Sequence, residues 1–188
     1  APERSTPGLV QALQAADMDQ AHVTDCAYLI LDDGIENIEA GAALAFDILA
    51  RSGLDLNTAT DWPSLVQEAL RLETPAQLLP RVARDDTIIN EVKISAGMPV
   101  FLALGSANRD PAVFAQPDRF DAQRDGASSL TFGKGRHSCI GAGLAQMLIV
   151  TLLKALIRDG ARASPGQNMT FQNRFGHRWP DRYEVNCG

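Results

Sequence analysis

The sequence predicts a mainly α-helical protein with a small β component, and three stretches of the chain carry that prediction. Residues 22–51 are rich in alanine, leucine and isoleucine, which favours one long helix. Residues 76–104 alternate apolar and polar side chains in short runs split at Asn90 and Gly97, a pattern typical of strands in a small sheet. Residues 140–158 are strongly apolar, so we expect a helix there that is buried on most faces.

A further helix is predicted between the long helix and the strands. Residues 52–61 form a loop, and Asp61 is placed to cap the helix that follows, with Pro63 in its first turn. This helix runs to about Glu73, because Pro75 disfavours helical backbone at the residue before it.

The remaining segments are shorter or irregular. Residues 8–19 are predicted to form a short helix, and residues 165–188 a weak hairpin. Residues 105–131 are rich in Asp, Asn, Pro and Gly, which indicates an ordered meander, and residues 132–139 form a glycine-rich turn. An irregular stretch of that length is uncommon in a folded domain and is often functional.

Composition and charge exclude several classes of protein. The net charge of −6 argues against a nucleic-acid-binding protein, which usually carries a basic patch. Cys26, Cys139 and Cys187 are odd in number and widely spaced, which argues against a disulfide framework or a structural zinc site. We therefore expect a reducing, cytoplasmic location. No apolar run reaches the roughly 18 residues that a membrane span needs, and the first residues lack a secretory signal pattern.

The stretch that carries chemistry is residues 132–141, with the sequence FGKGRHSCIG. Cys139 ends a glycine-spaced turn just before a predicted helix N-terminus, where backbone N–H groups and the helix dipole stabilise a thiolate. Taken alone, a cysteine at such a junction is more often a buried structural residue.

The whole stretch, however, resembles the signature of the cytochrome P-450 family, F-G-x-G-x-H-x-C-x-G. The resemblance implies the family's fold and haem b (iron protoporphyrin IX), with Cys139 as the axial ligand of the iron. It also implies a haem-thiolate monooxygenase that oxidises a small-molecule substrate with O₂ and two electrons. The matching positions, which we expect to bind the cofactor, are Phe132, Gly133, Gly135, His137, Cys139 and Gly141.

Two further motifs occur in the order the family has them. Glu68 and Arg71 resemble its E-x-x-R helix motif and share one helix face. We expect Arg119, in the run Pro-Asp-Arg-Phe, to form a forked bond to Glu68 and so to fix the loop that carries the cysteine. By resemblance, Arg81 and His137 would bind the two haem propionates, and an arginine fork suits a carboxylate.

The long helix contains the run Asp33-Gly34-Ile35-Glu36-Asn37, which resembles the family's oxygen-activation motif with departures. Gly34 and Glu36 match, whereas Asp33 replaces a small residue and Asn37 replaces a threonine. Glu36 is a candidate proton donor, and Gly34 would open the helix groove for dioxygen. Asn37 cannot relay a proton as a hydroxyl does, so the enzyme would use water or substrate hydroxyls, run on peroxide, or have lost oxygen activation.

The resemblance covers roughly residues 8–188, which correspond to the family's C-terminal half. We therefore expect residues 1–188 to be the C-terminal haem-binding portion of a P-450-like domain. Its elements would be a long central helix, the Glu-x-x-Arg helix, a small sheet, the meander, the cysteine loop and a buried helix. An N-terminal P-450 half, as a separate chain or fragment, would complete it, because a haem needs both faces covered.

Partners and alternatives remain open from the sequence. A ferredoxin-type redox partner would dock near Lys134 and Arg136. A non-catalytic haem-binding or scaffold homologue is the main alternative, and a cysteine hydrolase using Cys139 and His137 is a weak third, since no orienting acid is evident. The substrate is not identified by the candidate pocket residues, which are Leu29, Asp33, Asn37, Ala76, Leu78 and Leu79.

Overall fold

Helices dominate the regular structure of this computed structural model, which describes residues 8–16, 18–125, 128–163 and 168–187. The chain divides into two units, residues 1–36 and residues 37–188. The mainly α prediction is confirmed. The helices are α1 (Leu9–Ala15), α2 (Gln20–Arg51), α3 (Trp62–Leu72), α4 (Leu104–Ala107) and α5 (Ala142–Arg158).

Helix α2 is the long helix that the sequence predicts, and it continues through Gly34 without interruption. Helix α1 ends at Ala15 and is therefore shorter than the predicted span of 8–19, within which residue 17 lies outside the described residues. In the first unit Val23 is buried. Several large apolar side chains of the same unit are exposed, namely Tyr28, Leu29, Ile30, Leu31 and Ile35.

Helix α3 begins and ends as predicted. The Asp61 side chain accepts a hydrogen bond from the backbone N–H of Ser64 (3.2 Å), and a proline lies in the first turn. Most of the helix is buried, including its two charged residues Glu68 and Arg71. A helix that buries charge needs partners inside the protein, and the meander supplies them.

The strands form two-stranded antiparallel sheets. Strand β1 (Leu78–Val82) pairs with β4 (Pro99–Ala103), and β2 (Thr87–Ile89) pairs with β3 (Val92–Ile94) as a hairpin. The strands predicted within residues 76–104 are confirmed.

The C-terminal tail differs from the predicted single hairpin. Strand β6 (Thr170–Phe171) pairs with β7 (Pro180–Arg182), but β8 (Val185–Asn186) pairs with β5 (Arg162–Ala163), which follows α5. The end of the chain therefore returns to the helix core, a long-range pairing that local turn signals do not specify. Residues 165–167 and 188 of the predicted hairpin lie outside the described residues.

The core of the second unit is built from helices α2, α3 and α5. Gly41 allows α2 to approach α5 closely, because a Cβ at residue 41 would lie 3.0 Å from Cδ1 of Ile149 on α5. The buried members on the three helices are Ala42, Ala45, Phe46, Leu49, Trp62, Leu65, Val66, Ala69, Leu70, Ile149, Leu153 and Ile157.

The prediction that α5 is buried on most faces is wrong for this structure. Among its described side chains only Ile149, Leu153 and Ile157 are buried. These residues are four apart and form a single stripe, which is the face that packs in the core. The opposite side remains exposed and carries Leu144, Met147, Leu148 and Leu152. Among the described residues, no helix combines the length and apolar character needed to span a bilayer.

Candidate functional site

Cys139 lies at the end of a tight turn whose backbone is held by internal hydrogen bonds. Gly133 and Gly135 have φ angles of +68° and +73°, and residues Gly135–His137 form one turn of 3₁₀ helix. The backbone N–H of Cys139 donates to the carbonyl oxygen of Phe132 at 2.7 Å, which closes the loop. The position of the thiol is thus set by the backbone of its own loop.

Gly133 is required here for two reasons. Its positive φ is a conformation that L side chains rarely adopt, and a Cβ would lie 3.2 Å from the backbone oxygen of His137. Gly141 is different, because a Cβ there would make only an ordinary contact, 3.9 Å from Sγ of Cys139. A side chain at residue 141 would nevertheless crowd the space next to the sulfur.

The side chains around the thiol are open to solvent. Cys139 is a free, exposed cysteine, and Ile140 is 97% exposed. Helix α5 begins just beyond, with Gly141 before its first residue, so the predicted position of Cys139 ahead of a helix N-terminus is confirmed. His137 is exposed as well, as are Lys134 and Arg136.

Behind this loop lies a buried ion pair on α3. Arg71 Nε donates to Glu68 Oε2 at 2.7 Å and Arg71 Nη2 donates to Oε1 at 2.9 Å, a forked arrangement. The two side chains are 0% and 2% exposed. Arg71 Nη1 also donates to the backbone carbonyls of Asn108 (2.7 Å) and Pro117 (2.8 Å), so the pair binds the meander to the helix.

The third partner of this network is Arg124 and not Arg119, which corrects the sequence prediction. Arg124 Nε donates to Glu68 Oε1 at 2.9 Å, whereas the Arg119 side chain donates to Gln116. Arg119 contributes its backbone carbonyl, which accepts from Arg71 at 3.4 Å and from Arg124 at 3.3 Å. The two arginines are five residues apart in an irregular segment, where sequence spacing does not fix side-chain direction.

Asn108 is a buried residue to which the sequence assigns no role, although it begins the run Asn108–Pro111 that leads into the meander. It is fully buried. Its Oδ1 accepts from the backbone N–H of Leu130 (2.7 Å), and its Nδ2 donates to Thr131 Oγ1 (3.1 Å). Thr131 in turn donates to the backbone oxygen of Leu70 (3.0 Å), and the Leu130 carbonyl accepts from Gly133 (2.9 Å). Helix α3 is therefore connected to the cysteine loop by a continuous hydrogen-bonded path.

Arg81 lies on strand β1 opposite Val100 and is partly buried. Its Nη1 donates to the backbone oxygen of Pro80 at 2.8 Å. Its expected role as a propionate ligand stays a prediction.

The residues of the long-helix motif fall on both sides of the boundary between the two units. In the first unit Asp33 is exposed, Glu36 is partly buried, and a Cβ on Gly34 would meet no atom within 4 Å. Asn37 belongs to the second unit, where its Oδ1 accepts a hydrogen bond from Nε1 of Trp179 at 3.3 Å. Trp179 was not anticipated, because it lies 142 residues away in the tail.

Among the residues that the structure describes, no group of three or more His, Cys, Asp or Glu side chains is arranged to hold a metal ion.

The comparisons with known proteins agree with the fold and with the motif. The family model for cytochrome P450 matches residues 62–159, which include α3, the meander, the cysteine loop and α5. The chain belongs to the cytochrome P450 family.

Particular relatives are bacterial. Luteothin monooxygenase of Streptomyces thioluteus is 32% identical over 97% of this chain and 47% of its own length. The biotin biosynthesis cytochrome P450 of Bacillus subtilis is 46% identical over 48% of this chain and 24% of its own length.

A solved structure of the ligand-free P450 monooxygenase TamI superposes with a TM-score of 0.88. It is 29% identical to this protein, and the match covers 98% of this chain and 48% of that one. The predicted fold is confirmed, and the chain spans half or less of the length of these relatives.

Proposed function

We propose that this chain is the haem-binding half of a haem-thiolate monooxygenase, with Cys139 as the axial ligand of haem b. The observation that carries the proposal is the cysteine loop itself. It presents a free, exposed thiol from a backbone-fixed turn ahead of α5, in a chain of the cytochrome P450 family. A thiolate is a soft ligand that suits haem iron.

The residues around the thiol fit a haem. A flat apolar macrocycle next to the sulfur needs space and apolar contacts, and Gly141 leaves the space while Ile140 offers an exposed apolar side chain. When bound, the haem would supply the iron that activates dioxygen, and the thiolate would favour cleavage of the O–O bond.

The charged residues of the chain would orient the cofactor and fix its ligand. Arg81 and His137 would hold the two propionates, Arg81 by its planar fork and His137 by a ring N–H. The path from Glu68 and Arg71 through Asn108 would keep the cysteine loop in place. Substituting Arg81 would then weaken haem affinity without unfolding the chain.

The long-helix motif would handle protons. Glu36, whose side chain is partly buried, would donate a proton from its carboxyl group. Asn37 would hold a water or an oxygen atom through its amide N–H₂ group, while Gly34 leaves space along the helix. Asp33, which is exposed, would add a second carboxylate to the motif. The substrate would be a small organic molecule, oxidised by one atom of dioxygen with two electrons from a donor.

The decisive experiment is the absorbance spectrum of the reduced, carbon-monoxide-bound protein. We expect the thiolate-type band, its loss in Cys139→Ala, and its retention in Cys187→Ala, which removes another exposed free cysteine. A histidine-type spectrum in the unchanged protein, or a thiolate band in Cys139→Ala, would refute the ligand assignment.

We propose a ferredoxin-type protein as the electron donor. Lys134 and Arg136 are exposed in the cysteine loop and would attract an acidic surface. Replacing both by Glu should slow electron transfer several-fold at low salt and flatten its salt dependence. The control is Arg84→Glu, which changes an exposed arginine outside the cysteine loop. If the control and the double variant transfer electrons at equal rates with equal salt dependence, Lys134 and Arg136 do not form the docking surface.

We also propose that an N-terminal half on a separate chain or fragment completes the pocket. The support is the exposed apolar side of α5, with Leu144, Leu148 and Leu152 on one stripe, together with the relatives' doubled length. The native mass of the haem-loaded assembly should exceed that of this 20.2 kDa chain with one haem by the mass of a second polypeptide. A single chain with one haem that excludes small ligands from the iron would contradict a partner half.

A second candidate function is a non-catalytic haem-binding or scaffold homologue. It is favoured by one observation, that Asn37 stands where the family has a threonine and accepts a hydrogen bond from Trp179 inside the protein. This candidate predicts the thiolate spectrum without product under any electron supply, peroxide included. Product formation in any of these assays would eliminate it.

A further inference from the structure

Asn37 is held by a residue that only the tertiary structure brings to it. Nε1 of Trp179 donates to Oδ1 of Asn37 at 3.3 Å, and Trp179 is 7% exposed. The indole ring is itself fixed, with the His177 ring at 4.8 Å and the Arg174 guanidinium at 4.5 Å from its centroid. The N–H donor therefore has a defined place and direction.

This contact places the oxygen end of the Asn37 side chain toward Trp179. A carboxamide has an acceptor oxygen and a donor N–H₂ of nearly equal size, so packing alone leaves two flip states. Tryptophan is only a donor, so the side chain that faces Trp179 must present its oxygen there. The N–H₂ group is thereby directed to the opposite side of the carboxamide.

We infer that Trp179 is a positioning residue for Asn37, which it holds with the amide N–H₂ turned away as a hydrogen-bond donor. The inference rests on the proposed function, in which that donor would hold water or an oxygen atom at the haem. At the position where the family has threonine, Asn37 would then present a fixed N–H donor in place of a hydroxyl group that both accepts and donates.

The contact itself is tested by the indole signals in a ¹H–¹⁵N spectrum of the full chain. The chain has two tryptophans, Trp62 and Trp179, and Trp62→Phe and Trp179→Phe assign the two signals. Asn37→Ala should shift the Trp179 signal and speed its exchange with solvent, leaving the Trp62 signal unchanged. Asn37→Asp keeps an oxygen acceptor for the indole N–H, so the Trp179 signal should return to its original chemical shift. An unshifted Trp179 signal in Asn37→Ala would overturn the inference.

The positioning role is tested by the affinity of the ferric, haem-loaded protein for cyanide, whose nitrogen accepts a hydrogen bond. Asn37→Asp removes the N–H₂ donor and should weaken binding about fivefold, the size of one ordinary hydrogen bond. Trp179→Phe should weaken cyanide binding several-fold, and Trp62→Phe should leave it unchanged. In a protein that already carries Asn37→Ala, adding Trp179→Phe should weaken cyanide binding no further. An equal loss from Trp179→Phe in both backgrounds, or no loss in either, would show that Trp179 does not act through Asn37.

The two ideas fail separately. If the unchanged protein lacks the thiolate spectrum, the proposed function is wrong, yet the indole signals still decide the contact. If that spectrum is present but cyanide affinity ignores Trp179, the haem assignment stands and the positioning role is wrong.

Discussion

The Glu68 network and the Cys139 loop are opposite solutions to the problem of holding a polar group. Glu68 and Arg71 are buried almost completely, and their charged atoms are bonded within the protein. Cys139 and its neighbours are exposed, and the loop is fixed by backbone bonds and glycine conformations. This chain therefore satisfies its buried structural charges internally, while Cys139 and His137 of the proposed cofactor site are exposed. Stability and cofactor binding should therefore be separable by mutation.

The largest expected effect is on the buried side of the comparison. Glu68→Ala leaves Arg71 buried at 0% exposure without its carboxylate, and should lower the free energy of unfolding by about 3–5 kcal/mol. Chemical denaturation measures this change. The matched control is Asp85→Ala, which disrupts the exposed contact with Arg84 and should leave stability unchanged. Similar losses in both variants would contradict a special role for the buried pair.

The second prediction separates the two arginines. Arg124→Ala removes a charged hydrogen bond to Glu68 and should cost about 2 kcal/mol, since Arg124 is 11% exposed. Arg119→Ala keeps the backbone carbonyl that Arg71 uses and should cost less than about 0.5 kcal/mol. The denaturation midpoints of the two variants measure this difference in stability. The reverse order would restore Arg119 as the network's third side chain.

The third prediction concerns the exposed side. Gly133→Ala combines a positive φ with a close contact to the His137 oxygen, and should cost about 1–3 kcal/mol. Gly135→Ala has a similar φ but open space around the new methyl group, so it should cost less. Haem affinity, measured by titration, should fall with Gly133→Ala because the loop must shift. If the two variants lose equal stability, the steric contact is unimportant.

The smallest effect appears in the dependence of stability on pH. Burial, together with the Asp47 carboxylate 2.9 Å away, raises the pKa of the Tyr183 hydroxyl above its ordinary value. The folded state thus favours the neutral phenol. This contribution is complete below the unfolded pKa, near 10, and is lost as pH rises through the folded value.

The test is the unfolding free energy of the unchanged protein and of Tyr183→Phe between neutral and strongly alkaline pH. Tyr183→Phe should be the less stable of the two at neutral pH, and the difference should shrink above about pH 10. A difference independent of pH would mean that Tyr183 titrates alike in both states. Tyr28→Phe is the matched control, because Tyr28 is 65% exposed.

Local signals predicted a large part of this protein. Helix α3 was placed by Asp61 and the proline that follows, and both act within one turn. The cysteine loop was placed by glycines at fixed intervals, because positive φ angles are a property of single residues. The prediction failed where the direction of a side chain depends on distant segments. Arg119 was expected to bind Glu68, but Arg124 binds it and Arg119 binds Gln116. The prediction failed again for α5, whose apolar composition does not specify which side other elements cover.

The sequence by itself determined helices α1, α2, α3 and α5, the strands of residues 76–104, the family motif and the identity of Cys139 as the candidate ligand, but not α4, which begins the segment predicted to be irregular. Those features depend on backbone preferences and on residues close together in the chain. Only the tertiary structure decided that Arg124 completes the network, that Asn108 connects α3 to the cysteine loop, and that Trp179 holds Asn37. Each of these contacts joins residues separated by 22 to 142 positions, and such pairs are selected by packing of the whole chain rather than by local propensity.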